Sequence, residues 1–131
     1  MAKAMKLKNE NYWDSSSIEH NREKLSILLE KLKGTVLWVN QNYTTDFEAQ
    51  KIEIDLKNYN YIRVIYTDWG GSWTHLDAGK IPKGLLGVLN PASNTSRRYS
   101  SDDSGVTFEN PSNDGNKLSQ VPIFIIGYKY W

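Results

Sequence analysis

At 131 residues, with 39% hydrophobic and 24% charged content, the chain has the make-up of one globular domain, long enough to bury roughly two-thirds of the surface it exposes when unfolded. A net charge of +1, with no cluster of Lys and Arg, argues against a nucleic-acid partner, and the absence of cysteine excludes a disulfide framework and a thiolate metal site. No run approaches the about 18 apolar residues of a membrane helix, and MAKAMKLKNE lacks an apolar signal core, so membrane insertion and a cleaved signal are not expected.

Residues 1–14 read as a polar, basic lead-in. Residues 15–33 carry the period of an amphipathic helix. Ser15 to Ser17 offer an N-cap, and Asn21 offers a second start with Lys24 in place of the capping-box Glu. Lys31 and Lys33 fall in the last turn, where they complement the dipole, and Gly34 terminates it. Ile18, Leu25, Leu28 and Leu32 occupy heptad a and d positions, with polar Asn21 at the intervening d, and Glu23, Lys24, Glu30 and Lys31 form a charged flank. A narrow seam of this kind predicts a homo-oligomer, a dimer or a trimer. A helix lying on its own domain would show the same residues.

From Thr35 the helical period disappears, and residues 35–131 read as a β-domain. TVLWVN is a compact strand, followed by an Asn- and Thr-rich turn. In Lys51 to Leu56, Ile52, Ile54 and Leu56 alternate with Lys51, Glu53 and Asp55, the period of a half-buried strand. Tyr61 to Thr67 is apolar on both parities, which suits a strand near the middle of a sheet. The four polar residues between these runs predict an antiparallel hairpin joining them. Asp68 to Ser72 reads as a tight reversal around Gly70 and Gly71. A short strand follows around Leu85 to Leu89, with Gly87 marking a bulge or a close backbone approach. SRRYSSDDSGVTFEN predicts a hairpin turning at Asp103, Ser104 and Gly105, and VPIFIIGYKYW predicts a central strand, with Pro122 confined to its start. About seven short strands with regularly spaced turn signals predict an antiparallel β-sandwich, jelly-roll-like, or a small barrel, with a short N-terminal helix.

The catalytic inventory is thin. His75 is the one histidine of the β-domain, and although Asp77 and many serines accompany it, no nucleophile elbow singles out a serine. Asp46, Glu48, Glu53 and Asp55 could supply a carboxylate pair for glycoside cleavage, yet Glu53 and Asp55 have the parity of a solvated face. Asp102 and Asp103, or Asn113, Asp114 and Asn116, lack the spacing of a calcium loop, so neither a metal nor another cofactor is expected. Arg97 and Arg98 read as solvated edge charges, or as partners for a carboxylate across a subunit boundary. The aromatics say more. Trp69 and Trp73 flank the Gly-Gly turn beside His75 and Asp77, and flat indoles next to hydrogen-bonding side chains suit the stacking and orientation of a sugar ring. The alternative is that both tryptophans cap the core.

ENYWDSSSI, HNREKLSILLEKLKG, GTVLWVN, IEIDLKNYNYIRVIY, RRYSSDDSGVTFEN and IFIIGYK together give the chain its likeness to a known class. In this order of elements it resembles the C-terminal domains of tail or head fibres and related virion appendages of tailed phages and prophages of Gram-positive bacteria. The resemblance implies a trimerised β-rich domain without enzymatic activity that acts on the virion at the host surface. Its partners would be other virion proteins and a bacterial surface polysaccharide. The purely structural role of a virion decoration or connector is also implied, and a glycan hydrolase would require a carboxylate pair in a groove. Fibre polypeptides are normally longer, which suggests an excised C-terminal piece or a small accessory protein. The resemblance carries no residue motif for function.

Overall fold

The computed structural model describes residues 33–69, 74–90, 95–113 and 115–131. The helix expected over 15–33, with Ile18, Leu25, Leu28 and Leu32, lies outside the described residues except for Lys33, as do Trp73 and Gly70 to Ser72 of the expected reversal. Gly34–Trp131 forms one compact unit. Its strands are β1 (Thr35–Val39), β2 (Gln50–Glu53), β3 (Tyr61–Trp69), β4 (His75–Pro82), β5 (Gly87–Leu89), β6 (Arg97–Asp102), β7 (Gly105–Phe108) and β8 (Ser119–Tyr128).

They build two four-stranded antiparallel sheets, ordered β1-β8-β3-β4 and β2-β7-β6-β5. The domain is therefore a β-sandwich, and the separation of the two sheets rules out a closed barrel. The pairs β1–β8 and β2–β7 nest the ends of the chain as a jelly roll does, while β3–β4 and β5–β6 pair locally.

Alternation sorts the core. Ile62, Val64 and Tyr66 of β3, Val121 and Ile125 of β8, and Tyr99, Val106 and Phe108 of the second sheet form one buried cluster with Phe47, Leu56 and Leu89. Phe108 lies at its centre, edge-on to Phe47 with ring centroids 5.5 Å apart and tilted against Tyr99 at 5.8 Å. Burial pushes the Tyr99 hydroxyl up to about 12, so it stays protonated inside the sandwich.

Several expectations are met. The β6–β7 hairpin turns on Asp103 and Ser104, with Asp102 opposite Gly105. The terminal apolar run is the central strand β8, paired to both β1 and β3. The backbone of Gly87 lies against the Tyr99 ring so closely that any Cβ would collide with it, which explains a glycine at the head of β5.

Others are overturned. Residues 51–66 do not form a hairpin: β2 pairs with β7 in one sheet and β3 with β4 and β8 in the other. The segment between them crosses the core, turning where the Tyr59 N–H donates to Leu56 O at 3.0 Å. Ile54 and Leu56 stay with the second sheet, their N–H groups donating to Ser104 O at 3.1 Å and Asp103 O at 2.9 Å. Alternation shows which side chains face inward and does not name the hydrogen-bonded neighbour.

A strand was also missed. HLDAGKIP forms β4 at the edge of the first sheet, although Asp, Gly, Lys and Pro are poor strand formers. Its inward residues are Leu76, Ala78 and Ile81, a period that slips by one at Gly79, which has φ +84°, where the pairing with β3 also shifts register. Pro122 lies inside β8 and not at its start. The ladder with β3 steps from Phe124 to Pro122 across a bulge, which places a residue lacking an N–H where regular pairing is already broken.

Arg97 departs furthest from expectation. Neither a solvated edge charge nor a boundary partner, it points inward on the parity of Tyr99 and is 0% exposed. Its Nε donates to Gln120 O (2.9 Å), Nη1 to Phe47 O (3.0 Å) and Glu109 O (2.8 Å), and Nη2 to Lys117 O (3.2 Å) and Ser119 O (2.9 Å). The five N–H donors of a guanidinium thus meet five backbone carbonyls. Burial lowers its pKa to about 10, which leaves it charged at neutral pH.

Arg97→Met withdraws five hydrogen bonds from those carbonyls, of which Lys117 O keeps a second donor in the Phe47 N–H, and is expected to lower unfolding stability by at least about 3 kcal/mol in chemical denaturation. Arg97→Lys keeps the charge but not the fork, and is expected to recover only a small part of the loss. Wild-type stability in both variants would refute this role. Gly87→Ala, which drives a methyl into the Tyr99 ring, is expected to cost about 1–3 kcal/mol in the same assay.

Candidate functional site

The outer face of the first sheet carries the exposed chemistry. On β3 the residues opposite in parity to the core set are Tyr61, Arg63 and Ile65; beyond the register shift with β8 at Ile65/Tyr66, Thr67 is buried opposite Val121 and Trp69 is exposed at the end of the strand. Across the ladder on β4, His75 pairs with Thr67, Asp77 with Ile65, Lys80 with Arg63 and Pro82 with Tyr61. The register with β8 sets Ser119 opposite Trp69 and Tyr128 opposite Tyr61. Tyr61 and Trp69 lie eight residues apart, about 26 Å at the rise of a strand, so the face has two separate ends.

At the Ser119 end, Trp69 is 49% exposed, which removes the reading that this indole caps the core. His75 is also exposed, with the Tyr43 ring edge-on at 6.0 Å. Trp69 and His75 share one face and one end, as expected for a stacking surface with a polar neighbour.

Asp77 serves a different purpose from the one expected. Its carboxylate accepts two hydrogen bonds from Arg63, from Nε at 2.9 Å and from Nη2, and a third from the Gly79 N–H at 2.8 Å. The hydrogen bond from Arg63 holds Asp77 below the ordinary carboxylate range, partial burial opposes this, and the Gly79 N–H adds to it. Arg63 is raised further above its ordinary value by the same carboxylate, and its Nη1 donates to the Tyr128 hydroxyl at 3.2 Å. Asp77 is thus one member of a strand-to-strand clamp. It is not a His–Asp relay, because its oxygens are engaged away from His75.

The opposite end holds a cluster not foreseen from the sequence. The Lys80 ammonium lies 4.3 Å from the Tyr128 ring centroid, 5.4 Å from that of Trp131 and 5.5 Å from that of Tyr61. Tyr61 and Trp131 contact each other at 5.2 Å with planes tilted by 56°. Trp131 is 67% exposed and the neighbouring Tyr130 is exposed too. The aromatic count of YKYW was the available signal. The missing information was that β4 exists and brings Lys80 beneath those rings.

Of the four carboxylates considered for hydrolysis, Glu53 and Asp55 line a depression between the β2–β3 crossing and the β6–β7 turn with Asp103, Ile54, Lys57 and Ser104, while Asp46 and Glu48 lie outside it and Glu48 pairs with Lys117. Asp103 is ion-paired with Lys83 at 2.7 Å, and Asp55 accepts from the Lys57 N–H at 3.1 Å. Nearby Asp102 accepts from the Ser104 hydroxyl and N–H and pairs with Lys51 at 3.4 Å, which lowers it to about 2. Among the described residues no three His, Cys, Asp or Glu side chains group as metal ligands. Asn116 instead shapes its own turn, accepting from the Leu118 N–H at 2.9 Å.

Both depressed carboxylates stabilise the fold above their ordinary value of 3.8, and that stabilisation is lost as pH falls through their lower folded values, toward about 2 for Asp102. Asp77→Asn and Asp102→Asn are therefore expected to flatten the loss of thermal stability between about pH 4 and pH 2. A wild-type acid slope in both variants would show that neither pair is formed in solution. No protein-family model matches the chain, and neither a curated protein nor a solved structure matches it.

Proposed function

We propose that the chain is a non-enzymatic recognition module of a phage virion appendage, which oligomerises and binds a glycan on the bacterial surface through the outer face of its first sheet. The observation that carries this reading is the division of the aromatics. Phe47, Tyr99 and Phe108 are consumed by the core, whereas Trp69, Tyr130 and Trp131 are left in solvent. Exposed indoles on a rigid sheet offer flat apolar area at little conformational cost, the arrangement a sugar ring stacks upon. Trp69 with His75 combines such a surface with a hydrogen-bonding side chain. Asp77 is engaged by Arg63, Asp103 by Lys83 and Glu48 by Lys117, so these three carboxylates are not free to serve as acid or base.

A second reading, a structural joint between virion proteins, draws support from the same sheet. Val36 and Val39 on edge strand β1 are exposed beside half-buried Phe124 and Ile126, an apolar strip suited to protein contact. Calorimetric titration of the full chain with wall polysaccharide of a Gram-positive host separates the two. The recognition module binds, and Trp69→Ala is expected to weaken it by about tenfold, the loss of one stacking contact. Absence of binding, together with capture of a virion protein that Val36→Asp abolishes, would favour the joint. Unchanged affinity in Trp69→Ala would remove that indole from the site.

A further inference from the structure

We propose that Tyr61, Lys80, Tyr128 and Trp131 form a subsite for a negatively charged sugar, a hexose carrying a carboxylate or a phosphate. The inference rests on the glycan-binding reading above and names the chemical class that this end of the sheet selects.

Three rings converging on one point are how proteins hold a cationic ligand. Here that position is filled from within, because the Lys80 ammonium occupies it, 4.3 Å from the centroid of the Tyr128 ring. A cationic ligand would have to displace a tethered lysine or sit beside a like charge, and both are unfavourable. The occupied cage is instead a fixed positive charge. Ring faces attract the ammonium without cancelling its charge, and among the described residues no carboxylate pairs with it. Asp77, three residues back on the same strand, is paired with Arg63. An ammonium with no ion-pair partner among the described residues therefore lies beside the indole of Trp131, which is 67% exposed and presents apolar area to solvent.

The two features together define a ligand. A pyranose stacking its C–H face on Trp131 would bring a substituent at its rim within reach of the Lys80 ammonium, and an anionic substituent gains a charge-assisted hydrogen bond that a neutral hydroxymethyl does not. The subsite is also preorganised. The Asn60 N–H donates to Tyr128 O at 2.8 Å and its side-chain amide to Lys129 O at 3.0 Å, which fixes the chain carrying Tyr128 and Trp131. Arg63, clamped by Asp77, holds the Tyr128 hydroxyl at 3.2 Å. Tyr61 pairs directly with Tyr128 on the adjacent strand. A ligand would find charge and ring already in place and lose little affinity to ordering them.

The test uses the full chain and three probes, glucuronate, glucose 6-phosphate and methyl glucoside, followed by NMR of the tryptophan indole N–H signals. The Trp131 signal is assigned as the one missing in Trp131→Ala. At least one anionic probe is expected to shift that signal with an affinity about fivefold or more above methyl glucoside, a preference that about 0.5 M salt abolishes. Comparison of the two anions distinguishes a uronic acid from a phosphorylated sugar. Lys80→Gln is expected to bring the anions down to the level of the neutral sugar while leaving weak stacking, and Trp131→Ala to abolish both. Equal affinity for all three probes, retention of the anion preference in Lys80→Gln, or shifts confined to another indole would overturn the subsite. Should host wall polysaccharide bind with unchanged affinity to both variants, glycan binding stands and this subsite falls. Should the sugar probes bind here while the polysaccharide does not, the subsite stands and the broader reading falls.

Discussion

A single buried cation ties this sandwich together. Arg97 carries its charge into the protein without meeting a carboxylate, and its guanidinium is satisfied by carbonyls from Phe47, Glu109 and the run Lys117 to Gln120. Burying a charge costs several kcal/mol unless its hydrogen-bonding capacity is used, and here every N–H is used while the Phe47 ring covers the guanidinium with its centroid 5.3 Å away. The arrangement works in both directions. Those carbonyls belong to connecting segments outside regular ladders, or at the irregular start of β8 where Gln120 has φ 48°, and they need a donor as much as the guanidinium needs acceptors. One side chain thus draws three stretches of chain, distant in sequence, to one end of the two sheets.

That constraint reaches the surface. Ser119, whose carbonyl Arg97 holds, is the ladder partner of Trp69, so the strand end presenting the exposed indole is anchored from beneath. Glu48 pairs with Lys117 at 2.8 Å and the Phe47 N–H donates to Lys117 O at 3.0 Å, which closes the same end on the solvent side. The opposite end is fixed by other means. There Asn60 bridges the strand openings and the Arg63–Asp77 clamp spans β3 and β4 across their register shift. Aromatic side chains therefore stand on hydrogen-bonded backbone near both ends of β3, which lies second from the edge of its sheet.

The face itself joins two kinds of stabilisation. Inward residues of β3 contribute apolar burial, whereas outward ones contribute the bidentate ion pair and cation–ring contacts, each worth little at a surface when taken singly. Set side by side on adjacent strands, they restrict one another's rotamers. Asp77 takes up Nε and Nη2 of Arg63, and among the described residues Lys80 has no acid partner on this face. The polarity of the Trp131 end follows from that allocation.

The sequence by itself determined what depends on neighbours along the chain. Alternation in 51–56, the Asp-Asp-Ser-Gly turn between β6 and β7, the two-sided apolar run that became β8 and the close approach at Gly87 were all legible, because side-chain period and turn chemistry are local properties. Only the tertiary structure decided the rest. The partners of β2 and β3 depend on hydrogen bonds to strands more than 40 residues away, as in the pairing of Ile52 with Val106 and of Ile62 with Gly127, and no local pattern specifies these. β4 exists because β3 offers it an edge to pair with, against the propensities of its own residues. Arg97 and Arg98 are adjacent and chemically identical, yet one is buried and the other exposed, because only one of them faces five carbonyls that the fold brings together. Lys80 meets three rings for the same reason: Tyr61 on β3, Tyr128 on β8 and Trp131 just beyond β8 come beside β4 only when the sheet is assembled.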